Sequence, residues 1–551
     1  MKQRFNIPSF IYFIIITIVI IWLFPRERKT DYAFEQGKPW KYGLVTAPFD
    51  FSIFQTNERE EWMETDSTLE SGEKYRNTVM QVDTTEMLIQ VGEKIIDRGE
   101  LVNERSYNEL SSLKAIYDQQ AGTAGRQFSR IIGCALLIIA LMTCFVLYLA
   151  YFRKKIYARK KDMIFLLFML SLFVIVTEIC VRTELVNVYI IPFAIIPIVI
   201  RTFFESRTAQ MTHLTTVLIC ALMVPDAFEF LLLQFLVCAV ALYVLKDLTK
   251  RSDLIKCAIY IVATYVVGYI GFWLFQNGDI SELNWSSFGG FGINFLFVLF
   301  AYPFIYIIEN IFGYISNVTL VELSDINLPA LVELSEKSPG TFQHSLQVSM
   351  LGTAAASKVN ANPQLVRTGA LYHDLGKLEN PGYFSENTVV GNNPHDHLTL
   401  EESAKIITEH VPEGVKKAQQ LGLPSAIIKF IQTHHGKGKA KYFYNSYKNQ
   451  HPDEPVNEEA FTYDGINPDT KETALLMMAD AVEAASRSLK DYNEASIREL
   501  VNRIINGQIA DGLLDDAPLT FQNISTIKNV FVDKLLSVYH SRVSYPELNK
   551  K

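Results

Sequence analysis

Cysteine is scarce and carries no pairing pattern. The 551-residue chain has six, Cys134, Cys144, Cys180, Cys220, Cys238 and Cys257, all in apolar stretches and none in a CxxC pair. That argues against a disulfide framework or a cysteine-ligated zinc, and the six read as small buried hydrophobes. Charge is also sparse, at 20% of residues against 49% hydrophobic. A soluble protein of this length rarely has that balance, so membrane spans are expected. An excess of positive charge is lacking too: the formal net charge is -8. A duplex nucleic acid calls for a basic surface, so no such partner is expected.

What the chain does have is long apolar runs. The first, Ile7 to Phe24, follows Lys2 and Arg4 and precedes Pro25-Arg26-Glu27-Arg28, which offers no small-residue cleavage site. It reads as an uncleaved signal anchor over residues 1–25. Residues 26–128 are polar and mixed, with Trp40, Trp62 and a helix-like stretch around Thr84–Lys114. They read as a small mixed extracytoplasmic domain. Further apolar segments lie near 131–152, 163–181, 185–200, 210–224, 227–245, 254–275 and 288–312. Each approaches the roughly 20 residues of a span. Pro192 and Pro197 interrupt the third, which neighbouring helices can tolerate. With the anchor these make about eight spans, a membrane α-helical bundle whose seven-span part covers 129–315.

Loop charge orients the bundle. Arg153, Lys154, Lys155, Arg159, Lys160 and Lys161 crowd one loop; Arg201 and Arg207 mark a second, and Lys246, Lys250 and Arg251 a third. Positive loops stay inside, so both termini are expected in the cytoplasm and residues 26–128 outside. Arg26, Arg28 and Lys29 oppose this and are outvoted. Glu178, Asp226, Glu229 and Lys256 fall within or at the ends of spans, and read as residues reaching an interface rather than as intramembrane machinery.

After Asn317 the composition becomes that of a soluble helical domain, about 320–545. Apolar residues recur at helical spacing in Leu346–Ala355, Leu365–Leu371, Ala404–Ile407, Ile427–Ile431, Ala474–Ala485 and Ile497–Ile505. A turn-rich loop, about 436–470, carries Pro452, Pro455, Gly465 and Pro468. Nine of the ten histidines lie beyond residue 340. An ordered series runs His344, His373-Asp374, His410, His434-His435 and Asp480, each in or beside an expected helix. Imidazole and carboxylate are ligands for Mn, Fe, Zn and similar divalent ions. Helices hold such groups rigidly, and an adjacent His-Asp pair lets one piece of backbone reach two neighbouring ions. His395, His397 and His451 fit no ligand position and read as surface residues.

The series resembles the HD-domain metal-dependent phosphohydrolases. More narrowly, it resembles the PgpH type of cyclic di-AMP phosphodiesterase, in which a seven-span module is fused to an HD domain. The strings that carry the likeness are Ser338-Pro-Gly-Thr-Phe-Gln-His344, Gly369-Ala-Leu-Tyr-His373-Asp374-Leu-Gly376-Lys377, Thr433-His434-His435-Gly436, Lys441-Tyr442-Phe443-Tyr444 and Met478-Ala-Asp480-Ala-Val-Glu483-Ala-Ala-Ser-Arg487. In the outer domain Val91–Glu100 and Tyr107–Leu110 resemble the family's extracellular module, which is usually longer.

The resemblance implies a ligand set. His344, His373 and Asp480 would hold one metal, His410, His434 and His435 the other, and Asp374 would bridge them, with Mn or Fe as the two ions. Two ions roughly 3.5–4 Å apart can share a hydroxide and clamp the attacking and leaving oxygens of an in-line displacement at phosphorus. Asp374 and Lys377 would be the catalytic residues. Lys377, a turn beyond the His-Asp pair, could offset charge on phosphoryl oxygens. Arg487, two turns after Asp480, could meet a phosphate or serve a structural ion pair. Tyr442 and Tyr444 could stack on a base or simply pack the loop. Cyclic di-GMP enzymes of the HD-GYP type carry a Gly-Tyr-Pro signature after the tandem histidines, which is absent here.

The implied function is hydrolysis of cyclic di-AMP to linear pApA at a bacterial inner membrane. The alternatives are a cyclic di-GMP phosphodiesterase or a non-catalytic nucleotide-binding membrane receptor. The expected partners are a cyclic dinucleotide and the lipid bilayer. An extracytoplasmic ligand and a homodimer are left open.

Overall fold

The computed structural model describes residues 7–24, 34–40, 44–53, 88–97, 99–121, 124–183, 187–245, 251–280, 283, 285–388, 393–452 and 455–539. Trp62, Arg26, Arg28, Lys29, Lys246 and Lys250, used above, lie outside the described residues. The chain divides into two compact units, Met1–Ile191 with Leu214–Leu231, and Pro192–His213 with Leu232–Lys551.

In the first unit α1 (Ile7–Leu23) packs on α5 (Lys160–Thr183) and α3 (Ala124–Phe152), with the short α4 (Lys154–Ala158) between the latter two. The outer segment holds four short strands, β1 (Val45–Thr46), β2 (Phe51–Ser52), β3 (Leu88–Ile89) and β4 (Lys94–Ile96), followed by α2 (Glu104–Ala121). β1 pairs antiparallel with β4, and β2 with β3. Trp40, Phe51, Ile89, Ile96, Val102 and Leu110 close a small core. The helix expected around Thr84–Lys114 therefore forms only from Glu104 in its described part. A left-handed Gly92, at φ 86°, turns the chain back between β3 and β4, a conformation that no helix continues through.

The expected membrane bundle is present, and the count of eight is not reached among the described residues. Phe128–Phe152, Lys160–Thr183, Ala227–Val244 and Ser252–Asn277 are long and apolar enough to cross a membrane. The pair α10 (Trp285–Leu299) and α11 (Ala301–Phe312), bent by 42°, makes a fifth among the described residues if the two helices form one broken span. The region of Pro192 and Pro197 yields only a 3₁₀ turn and the nine-residue α6 (Ile195–Phe203). The following α7 (Ser206–Ala221) is diluted by Arg207, Gln210 and His213. Glu178 and Glu229 also depart from expectation. Glu178 is 6% exposed, and Glu229 accepts a hydrogen bond from the Tyr189 hydroxyl. Asp226 is exposed at the start of α8 (Ala227–Val244), and Lys256 is exposed on α9 (Arg251–Asn277), 3.9 Å from Asp253.

In the second unit α11 ends at a left-handed Gly313 and leads into α12 (Asn317–Leu323). There Glu309 accepts from the Ser316 backbone N–H and, at 2.8 Å, from the Thr319 hydroxyl. The helical domain follows as α13 (Pro329–Lys337), α14 (Pro339–Lys358), α15 (Pro363–Tyr372), α16 (Leu400–Gln420), α17 (Ser425–Thr433), α18 (Lys441–Gln450), α19 (Lys471–Ser486), α20 (Glu494–Ala510) and α21 (Phe521–Val538). All six apolar-periodic segments lie in these helices. Start signals are local: Asn362 caps α15 ahead of Pro363, and Thr399 with Glu402 forms a capping box on α16. The core gathers Val348, Leu351, Val366, Ala370, Phe430 and Leu475 with Val482, Ile497 and Phe531. α14 packs on α15 and α19, and α15 on α17, so the helix segments that bear the histidines converge. The expected loop over 436–470 instead contains α18, an N-terminally aromatic, proline-free run that ends before Pro452.

Candidate metal centre

Four histidines owe their orientation to where they stand in their helices. His373 and His434 follow the last residues of α15 and α17. The last four carbonyls of a helix have no partner within it, so each imidazole Nδ1–H can donate to one. His373 donates to the Ala370 carbonyl and His434 to that of Ile431, both at 2.8 Å. His410, two residues before Pro412 in α16, donates to Ile407 O at 2.6 Å. These bonds turn the three Nε2 atoms inward. His344 stands in the middle of α14, where the carbonyls serve the helix itself. Its Nδ1 is met by the Glu483 carboxylate from α19 instead.

Asp374 lies at the meeting point, 1% exposed. Its Oδ1 is 3.5 Å from Nε2 of both His410 and His434. Its Oδ2 is 3.2 Å from His373 Nε2 and 3.7 Å from His344 Nε2. Asp480 Oδ1 lies 2.9 Å from His344 Nε2 and 3.8 Å from His373 Nε2, and its Oδ2 lies 3.7 Å from His435 Nδ1. The potential donor atoms of His344, His373 and Asp374 cluster within 4.8 Å of one another, as do those of His410, His434 and His435.

This donor set fits divalent cations. With Nδ1 committed, the Nε2 atoms of His410 and His434 point at each other across 3.0 Å, and buried His373 Nε2 has no hydrogen-bond partner among the described residues. A cation beside Asp374 satisfies all three. The electrostatics agree. Burial pushes the Asp374 and Asp480 carboxyls up, but the facing imidazoles, together with Lys377 at Asp374, outweigh it and hold both well below the usual range. Burial pushes His410 down to about 3 and His435 well down, which favours the neutral imidazole that can bind a metal ion. Burial also works against protonation of His373, yet Asp374 and Asp480 raise it to about 10. The positive charge these aspartates draw onto the ring as a proton is the charge that a metal ion supplies.

Two family models match the chain. One, a 7TM receptor with intracellular HD hydrolase, matches residues 128–316. The other, the HD domain, matches residues 341–485. Over these two segments the chain is similar to membrane receptors that carry an intracellular HD hydrolase. Among curated relatives it is 31% identical over 471 residues to the cyclic-di-AMP phosphodiesterase PgpH of Listeria monocytogenes, covering 83% of this chain and 64% of that protein. It is 28% identical over 479 residues to the Bacillus subtilis PgpH, covering 84% and 66%. The chain thus spans just under two thirds of these relatives' length. The solved HD domain of L. monocytogenes PgpH in complex with cyclic-di-AMP is 40% identical and covers 39% of this chain and all of its own, with a TM-score of 0.37.

In this HD domain the structure brings His344, His373, Asp374, His410, His434, His435 and Asp480 together. Lys377 is also at the site, its Nζ 2.8 Å from both Asp374 Oδ2 and Glu386 Oε1. Burial opposes its charge, but the two carboxylates raise its pKa above the ordinary lysine value. Arg487 is not aimed at the cluster: its Nε and Nη2 donate to Glu483 Oε1 at 2.9 and 2.7 Å. Tyr444 packs on Phe461 and donates to Glu458 at 2.9 Å, with Lys439 over its ring. Tyr442 is 76% exposed on α18. His395 is only half-buried, its Nε2 bonded to the Tyr383 carbonyl at 2.9 Å.

Three residues at the site went unassigned in the sequence. Glu386 holds Lys377, Tyr463 stacks on the His435 ring at 4.2 Å, and Glu483 supports His344. Only Glu483 carried a signal, one turn after Asp480. Gly376 is the close-approach residue of the His-Asp string. A Cβ there would collide with the His410 carbonyl oxygen and stand 2.6 Å from Gly414 N, so a side chain would hold Asp374 away from α16.

Proposed function

We propose that this protein is a membrane-bound phosphodiesterase that hydrolyses cyclic di-AMP to linear pApA in the cytoplasm, dependent on two divalent metal ions, Mn or Fe. The observation that carries the proposal is the placement of Asp374: Oδ1 faces His410 and His434, while Oδ2 faces His373 and His344. One carboxylate turned to two ligand clusters is the arrangement that a pair of bridged ions requires. His344, His373 and Asp480 would hold one ion; His410, His434 and His435 would hold the other. When bound, such a pair supplies a strong nucleophile at neutral pH and neutralises charge on the phosphoryl oxygens.

The chain's own groups do the rest. Lys377 Nζ presents a fixed positive charge beside Asp374, suited to the charge that develops on a phosphoryl oxygen at the transition state. Exposed Tyr442 offers a ring on which a base can stack. The names of the curated relatives support cyclic di-AMP as the substrate, as does the absence of Gly-Tyr-Pro after His434-His435.

The organisation that goes with this activity is an anchor at 1–25, an extracytoplasmic domain at 26–128, a membrane module at 129–315 and a cytoplasmic HD domain at 320–545. The basic 153–161 loop supports that orientation.

The test is turnover by the purified full chain, stripped of metal and reloaded with Mn, on cyclic di-AMP and cyclic di-GMP. Metal-dependent release of pApA, faster than cleavage of cyclic di-GMP, is expected. Equal or faster cleavage of cyclic di-GMP refutes the substrate, and a single ion in the fully loaded protein refutes the bridged pair.

A further inference from the structure

His344 is set apart from the other inward-facing ligands by what stands behind it. Three imidazoles are oriented by carbonyls of their own helices; His344 alone among them is oriented by a carboxylate 139 residues away in sequence. Glu483 is fully buried and its two oxygens are divided: Oε2 meets His344 Nδ1, while Oε1 takes Nε and Nη2 of Arg487. A buried carboxylate is costly without a compensating cation, and Arg487, one turn further along α19, is that cation. The same helix therefore delivers Asp480 to Nε2 of His344 and Glu483 to its Nδ1.

We propose that Glu483, braced by Arg487, is the positioning residue for the ion held by His344, selecting its ring orientation and raising its basicity without touching the ion. This rests on the two-ion reading above. A carboxylate behind a ligating imidazole fixes the tautomer and strengthens the ligand, and its loss typically costs about 10- to 100-fold in metal affinity. Because His344 is the one proposed ligand that the Glu483 carboxylate meets, that loss falls on one ion and spares the one at His410, His434 and His435.

The experiment is Mn²⁺ titration of the metal-stripped full chain, following bound ions by elemental analysis and electron paramagnetic resonance. Wild type, Glu483→Ala, Glu483→Gln, Arg487→Ala, His344→Ala and the Glu483→Ala/His344→Ala double variant are compared. Glu483→Ala is expected to weaken one of two ions by about 10- to 100-fold and leave the other unchanged. Glu483→Gln and Arg487→Ala are expected to weaken the same ion by less, and they carry the test if the alanine variant does not fold. In the His344→Ala background Glu483→Ala is expected to cost nothing further, since its target is gone. Two ions at wild-type affinity in every Glu483 and Arg487 variant overturn the inference. So does an equal cost of Glu483→Ala in both backgrounds, which marks a merely structural residue. A wild-type chain that takes up one ion overturns the two-ion reading instead.

Discussion

Replacing Gly376 by alanine tests whether the approach of the His-Asp turn to α16 builds the site. The added Cβ would lie against the His410 carbonyl oxygen and 2.6 Å from Gly414 N. Both are backbone atoms, so no side chain can swing aside. Reaching ordinary contact at 3.4 Å from the Gly414 nitrogen alone requires a separation of about 0.8 Å. Asp374 lies two residues before Gly376 and its Oδ1 stands 3.5 Å from His410 and His434, so this displacement opens the junction between the two ligand clusters. Overpacking of this kind costs about 1–3 kcal/mol, a fall of roughly 2–12 °C in Tm for a domain of this size. A misplacement near 1 Å can cost about 10²-fold in rate. The expected result is a folded protein with a lowered Tm, turnover reduced about 100-fold, and weakened binding of the ion at His410. Gly382→Ala is the control, since a Cβ there meets nothing within 4 Å. Turnover, elemental analysis and thermal unfolding report the three quantities. A Gly376→Ala protein with wild-type turnover and two tightly held ions would refute the reasoning.

Asp374→Ala should remove most of both ions and nearly all activity, whereas His410→Ala should cost mainly one; elemental analysis of the two variants separates these outcomes, and equal retention would contradict the bridge. Lys377→Ala should lower kcat by roughly 10²- to 10³-fold with little change in KM, as befits a charge felt most at the transition state; steady-state kinetics showing the reverse pattern would remove Lys377 from the chemistry. Tyr442→Ala should raise KM by roughly 5- to 150-fold, the equivalent of one lost base stack of about 1–3 kcal/mol, and unchanged kinetics would leave that ring without a substrate role. A reporter fused after Lys155 should be active only in the cytoplasm and one at Gly72, which lies outside the described residues, only outside; activity of the latter inside would reverse the orientation.

Much of this molecule is local physics, and that part was legible in the sequence. Apolar residues at helical spacing placed α14, α15, α17 and α19, because burying one stripe of a helix needs only neighbours three and four apart. The ordered His and Asp series identified a candidate metal centre for a similar reason: those residue types on successive helices have few uses other than holding cations.

What only the tertiary structure decided depends on contacts between distant segments. The short antiparallel strands of the outer domain pair Phe51 with Ile89 and Val45 with Ile96, far apart in sequence, so Leu88–Ile89 and Lys94–Ile96 form strands where a local pattern suggests helix. Among the described residues four helices, or five if the bent pair is one span, are long and apolar enough to cross a membrane, and apolar length alone does not show that the region of Pro192 and Pro197 forms a nine-residue helix. Which ligands face one another lay beyond local pattern. Arg487 and Lys377 each pair with a carboxylate one turn back, Glu483 and Asp374, and it is the packing of α19 on α14, and of the His-Asp turn on α16, that sets those carboxylates against the histidines. The sequence by itself determined which ligands exist. The division of Asp374 between two clusters, and the carboxylate behind His344, were decided by helices that meet only in the folded chain.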